Sequence, residues 1–128
     1  MITMTINDLL NIAPVLRELI NKPFRGATAF KLARLMRELD KENALFEESR
    51  MKLIEKYGKK DENGTLIMTE DGSNIKLQED KLEECNEEMI NLISTQIEIN
   101  ADKIPLSAFE EIEIAPSQAI SIEILIEE

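Results

Sequence analysis

A seven-residue apolar seam through Ala27–Tyr57 constrains this chain more than any other feature. Leu32, Leu39, Phe46 and Leu53 recur at heptad spacing, with Met36, Asn43, Arg50 and Tyr57 at the intervening positions. A shorter stripe of Leu82, Cys85, Met89 and Leu92 follows. A helix with one narrow apolar edge must bury that edge, and two such helices joined through a Gly-containing loop satisfy each other by antiparallel packing. The pattern predicts an α+β fold, mainly helical. A long antiparallel helical hairpin carries a small β-hairpin at its tip, and a C-terminal strand-helix segment follows.

Turn and cap residues divide the chain into three segments of one domain, 1–22, 28–95 and 96–128. Leu9, Leu10, Ile12, Leu16, Leu19 and Ile20 keep helical spacing behind a cap at Thr5 or Asn7. Pro14 inside this stretch either kinks the helix or opens a second one. Asn21-Lys22-Pro23 ends it. The long helix is expected from Thr28 to Tyr57, with Gly58 as its stop. Asp61-Glu62-Asn63-Gly64 and Asp71-Gly72-Ser73-Asn74 are turn clusters, and they bracket a strand over 65–69 that Ile75-Lys76-Leu77 can pair with. The second helix spans 79–95. In the tail, 96–100 alternates as a half-buried strand does, 103–106 is extended, and Ser107 caps a short turn through Phe109. Residues 111–114 alternate again. Pro116 opens a helix over Ser117–Glu127 with Ile120, Ile124 and Leu125 on one side.

At 128 residues the chain can bury one core without metal or disulfide help. Four Phe, one Tyr and no Trp make that core aliphatic. The single Cys85 lies on the apolar stripe and reads as a core residue of a reducing cytoplasm. No signal-peptide pattern opens the chain, and no apolar run approaches the ~20 residues that span a bilayer.

The chemical inventory argues against catalysis. There is no histidine, so the commonest general base and the commonest metal ligand are both missing. One cysteine does not make a structural zinc site. The four glycines are isolated and cradle no phosphate. Two acidic loops invite a calcium test. Asp61, Asn63, Thr65 and Glu70 form the first, Asp71, Ser73 and Ile75 the second. The first has its glycine at the wrong position, and the second has an apolar residue where a ligand belongs. No spacing singles out a carboxylate pair for acid–base work. The expectation is therefore no enzyme activity, no cofactor and no metal.

Charge gives the stronger signal. The net charge is −11, yet residues 1–78 carry 13 basic against 12 acidic side chains, while 79–128 carry 14 acidic against Lys81 and Lys103. Such a field repels phosphate backbones and favours a basic protein partner. Glu79, Glu83 and Glu87, with Glu84, Glu88 and the adjoining Asp80, recur three to four residues apart and form one negative strip. Lys31, Arg34 and Arg37 share a broad helix face within an acid-free stretch that also holds Lys22 and Arg25. That stretch is not patterned as a nucleic-acid surface. It is expected to meet the acidic C-terminal segment of the same or a neighbouring chain. Asn43 and Arg50 interrupt the seam, either because it reaches the surface there or because they set register.

Three stretches carry a resemblance: Thr28-Ala29-Phe30-Lys31-Leu32-Ala33-Arg34, then 50–58 leading into Asp61-Glu62-Asn63-Gly64, and 115–117 with the closing 126–128. In this order the chain resembles a family of small uncharacterised proteins of tailed bacteriophages and prophages of mostly Gram-positive bacteria. The resemblance implies a phage gene product in virion or tail assembly, or a minor structural component. The alternative is an inhibitor of a host defence system, such as a CRISPR or other nuclease complex, with the acidic half as a nucleic-acid decoy. It implies no catalytic or binding residues. Expected partners are a phage structural protein or a host defence protein, and a second copy, because the long seam outruns its shorter partner helix. Nucleic acid and membrane are not expected. The location is the host cytoplasm or the virion. If no metal is needed, EDTA leaves the melting temperature unchanged; a drop of several degrees would reveal a carboxylate site near Asp61–Glu70.

Overall fold

The computed structural model describes residues 1–70, 72 and 74–128. The mainly helical α+β class holds. Strand β1 (Ile2–Thr5) leads into α1 (Ile6–Leu19), and α2 (Gly26–Tyr57) follows. A 3-10 turn (Glu79–Lys81) then opens α3 (Leu82–Ile93). The tail holds β2 (Gln96–Ile99), β3 (Ile104–Pro105), a 3-10 turn (Leu106–Phe109) and α4 (Pro116–Ile122). A last 3-10 turn (Glu123–Leu125) runs into β4 (Ile126–Glu127). Among the described residues no helix is long and apolar enough to cross a membrane.

The chain divides into two compact units, and the division falls inside α2. Residues Met1–Ala44 and Thr95–Glu128 make the first, and Leu45–Ser94 the second.

In the first unit, Thr5 caps α1. Its hydroxyl accepts from the Asp8 amide at 3.1 Å, and the Asp8 carboxylate accepts from the Thr5 amide at 3.0 Å. Pro14 neither opens a second helix nor ends the first: it sits on the exposed side of one continuous α1. Leu9, Ile12, Leu16 and Leu19 are buried along α1 and meet Leu32, Leu35, Met36 and Leu39 of α2 in one aliphatic core. Strand β1, which the sequence pattern did not indicate, pairs antiparallel with β2 in the register Ile2↔Ile99 to Thr5↔Gln96. Ile2, Met4 and Ile99 thereby point into the core. β3 pairs in parallel with β4, and α4 packs on α1.

Three tail expectations are corrected. No strand forms over 111–114. The last helix ends at Ile122 instead of Glu127, because Ile126–Glu127 is drawn into the parallel pair with β3. Ile120 faces outward, while Ile122 and Leu125 are buried.

In the second unit the chain reverses through three short antiparallel bridges, Gly58↔Leu77, Lys60↔Leu66 and Met68↔Ile75. The last is the expected hairpin, with 58–61 added as a further edge. Phe46, Tyr57 and Cys85 are buried here. The stripe on α3 is shorter than expected, since Leu82 lies at the surface. Gly58 is not a left-handed helix stop. A Cβ there would stand 2.5 Å from both the Ile54 carbonyl oxygen and Leu66 Cδ2, so glycine is required for close packing. In the first turn cluster, Asp61 Oδ1 accepts from the amides of Asn63 and Thr65 at 2.9 and 3.0 Å, and Gly64 adopts φ +80°. That carboxylate is spent on its own turn. Asp71 and Ser73 of the second calcium-like loop lie outside the described residues.

The seam itself is corrected in two ways. α2 begins at Gly26, with Thr28 inside it, and the seam does not run along a single partner helix: Leu32–Leu39 belongs to the first unit and Phe46–Tyr57 to the second. A seam outrunning its partner helix would leave Phe46, Arg50 and Leu53, or else Leu32 and Met36, to a second copy; Leu32, Met36 and Phe46 are buried within one chain, and Leu53 is half-buried. Arg50 is half-buried and turns along its own helix to Glu47, at 2.9 and 3.0 Å. The seam reaches the surface there.

Adjacent residues on α2 test the buried edge. Phe46 is 5% exposed and Leu45 56%. Phe46→Ala is expected to cost about 3–5 kcal/mol and Leu45→Ala about 0.5 kcal/mol or less, measured by denaturant unfolding with Tyr57 fluorescence as the signal. Equal costs would place the seam away from the core.

Candidate partner-binding surfaces

The acidic strip forms for a local reason. Glu83 and Glu84 occupy the first turn of α3, where carboxylates offset the exposed amides of the helix start. Glu87 follows Glu83 by one turn, and Glu79 stands on the preceding 3-10 turn. All four are exposed, as is Asp80. Like charges four apart on a helix cost about 0.2–0.5 kcal/mol per pair. The Glu83–Glu87 pair therefore works against the helix that carries it.

Glu88 departs from the strip. Its Oε1 accepts from Lys56 Nζ at 3.0 Å, and the same ammonium lies 5.0 Å from the Tyr57 ring centroid. Lys56 holds the Glu88 carboxyl below its ordinary value near 4.5, and the Tyr57 hydroxyl adds a smaller push the same way. No hydrogen bond joins that hydroxyl to Oε2, which is buried without a partner among the described residues. Burial pushes the Tyr57 phenol above 10.0, with the Glu88 carboxylate adding to it. Lys56 is raised above 10.5, chiefly by Glu88. Glu88 is thus paired within the second unit and half-buried, unlike the exposed members of the strip.

The basic set lies in the first unit. Lys31, Arg34 and Arg37 are exposed on α2, opposite the buried Leu32, Leu35 and Leu39. One aromatic in their midst was missed by sequence reasoning: Phe30 is 71% exposed. Heptad spacing signals what a helix buries, and an exposed phenylalanine leaves no such mark. Among the described residues the expected meeting of basic stretch and acidic tail occurs once, where Arg25 Nη2 lies 3.4 Å from Glu111 Oε1. Both side chains are largely exposed, so the pair contributes little. It borders a cleft of about 560 Å³ between Phe24, Thr28, Ser107 and Ile112. Lys31 and Arg34 flank a second hollow with Asn100 and Asp102.

Another hollow in the first unit is apolar. It holds about 280 Å³ between Leu106, Phe109, Ile114, Ala119, Ile120 and Ile126, with Glu123 and Glu128 beside them. Leu106 and Ile120 are 55% and 74% exposed. Among the described residues no group of three or more His, Cys, Asp or Glu side chains is placed to hold a metal ion. Comparison of the chain with family models, with curated proteins and with solved structures finds no match.

The Lys56–Tyr57–Glu88 cluster sets two pH limits. Glu88, lowered in the folded state, contributes stability that is complete above its ordinary value and is lost as pH falls through the folded one. Lys56 and Tyr57, both raised, contribute below their ordinary values and lose this as pH rises through the folded ones. Tyr57 is the only tyrosine, so phenolate absorbance reads it alone. It is expected to titrate above 10.0, and Glu88→Gln should bring the midpoint down. An unchanged midpoint would show that the carboxylate does not act on the ring.

Proposed function

We propose that this chain is a non-enzymatic accessory protein of a tailed bacteriophage, acting by protein–protein contact in virion or tail assembly or as a minor structural component. The observation that carries this is the exposed acidic face of Glu79, Glu83, Glu84 and Glu87. It is built from like charges whose repulsion a basic protein surface would relieve. The resemblance of 28–34, 50–64 and the C-terminal residues to a phage family gives the context, with the host cytoplasm or the virion as the site of action. The same reading includes self-association, since the first unit carries basic and acidic surfaces of its own.

A second reading rests on the charge of 79–128. Fourteen acidic against two basic side chains would also suit an inhibitor that occupies the nucleic-acid groove of a host defence complex.

Reversal of the strip tests the first reading. Glu83→Lys with Glu87→Lys should leave unfolding stability within about 0.5 kcal/mol and remove the partner that co-purifies from infected cells. Retention of every partner would reduce the strip to a solvated face. The identity of the co-purifying partner separates the readings: a virion or tail component supports the first, and a nucleic-acid-binding defence complex supports the second.

A further inference from the structure

The first unit carries two complementary surfaces that are both open within the chain. On α2, Phe30 is 71% exposed, with the small Ala27 and Ala33 three residues away on either side of it. Arg34 lies on the same side and Lys31 is adjacent, both exposed. Around α4, the apolar hollow of Leu106, Ile114, Ile120 and Ile126 is bordered by Glu123 and Glu128. It holds about 280 Å³ and is lined mostly by apolar side chains. Its lining holds no converging set of polar groups, and its volume suits one large side chain.

Charge specifies what that side chain brings with it. Residues 95–128 carry eight acidic side chains against Lys103, and 22–37 carry five basic side chains with no acid. None of Lys31, Arg34, Glu123 and Glu128 has an ion-pair partner among the described residues. We propose that the groove receives Phe30 of a second copy of this chain, with Lys31 and Arg34 of that copy set against Glu123 and Glu128. The contact is an aromatic anchor in an apolar pocket with a charged rim, the pattern that carries most binding energy in protein interfaces. Its two faces are different patches, so copies join head to tail, either closing into a ring or continuing. The proposal rests on the self-association in the function proposed above, and gives it a specific contact.

The test uses the full chain and four samples in analytical ultracentrifugation. The unaltered protein is expected to self-associate reversibly. Phe30→Asp and Ile120→Asp, both at exposed positions, are each expected to keep the same helical circular dichroism and melting profile while weakening association about tenfold or more. Each variant retains one intact face. An equimolar mixture of the two should therefore form a one-to-one dimer and nothing larger. A strictly monomeric unaltered protein would overturn the self-association reading itself. An oligomer that persists in both variants would leave that reading standing and overturn this contact, as would a mixture that stays monomeric.

Discussion

One continuous helix with a single apolar edge is the constraint on which the rest depends. A helix of 32 residues is about 48 Å long, more than twice the length of α1 or α3, so no one partner helix can cover its edge. The chain solves this by giving the edge to two cores in succession. Leu32, Leu35, Met36 and Leu39 are buried with α1, β1, β2 and the C-terminal elements. Phe46 and Tyr57 are buried in the unit formed by 45–94. Asn43 falls next to the division and Arg50 beyond it, and both are half-buried. The two polar interruptions of the seam thus mark where the edge is less completely covered.

Period-seven spacing and turn chemistry made much of this legible in the sequence. They placed α2 and α3, the hairpin between them, a cap at Thr5 or Asn7 and the buried Cys85, because each depends on residues close in sequence. What was missed depends on pairing across the chain. Ile2-Thr3-Met4-Thr5 is too short to declare itself a strand before β2 is known. Ile126–Glu127 leaves a helical pattern only because β3 stands ready to pair with it. Gly58 does follow the last residue of α2, but the close approach of Leu66 and Ile75 that requires glycine there was not legible. The acidic strip was legible for the same reason as the helices, by spacing alone. The pairing of Glu88 with Lys56 was not legible, because that partner lies 32 residues away.

Charge is arranged more finely than the net of −11 conveys. The second unit holds 13 acidic and 7 basic side chains, and the first 13 acidic and 8 basic, so neither is the acidic half. In the first unit the signs are separated along the chain, with basic residues concentrated in 22–37 and acidic ones in 98–128. Solubility alone asks only for a net charge and is indifferent to such sorting. Sorting matters when surfaces must recognise each other, since it orients an encounter before any apolar contact forms.

The pairing of β1 with β2 has a consequence for synthesis. It joins Ile2 to Ile99, so the first unit cannot close until the chain through residue 99 has been made. The 50 residues of the second unit are contiguous and are complete before β2 is made. Their contacts are local, and local contacts form fast. During translation, then, the later-starting unit is the first able to fold, and Ile2, Met4 and the buried side of α1 wait uncovered. Any aggregation of a nascent or truncated chain should originate in that waiting N-terminal segment.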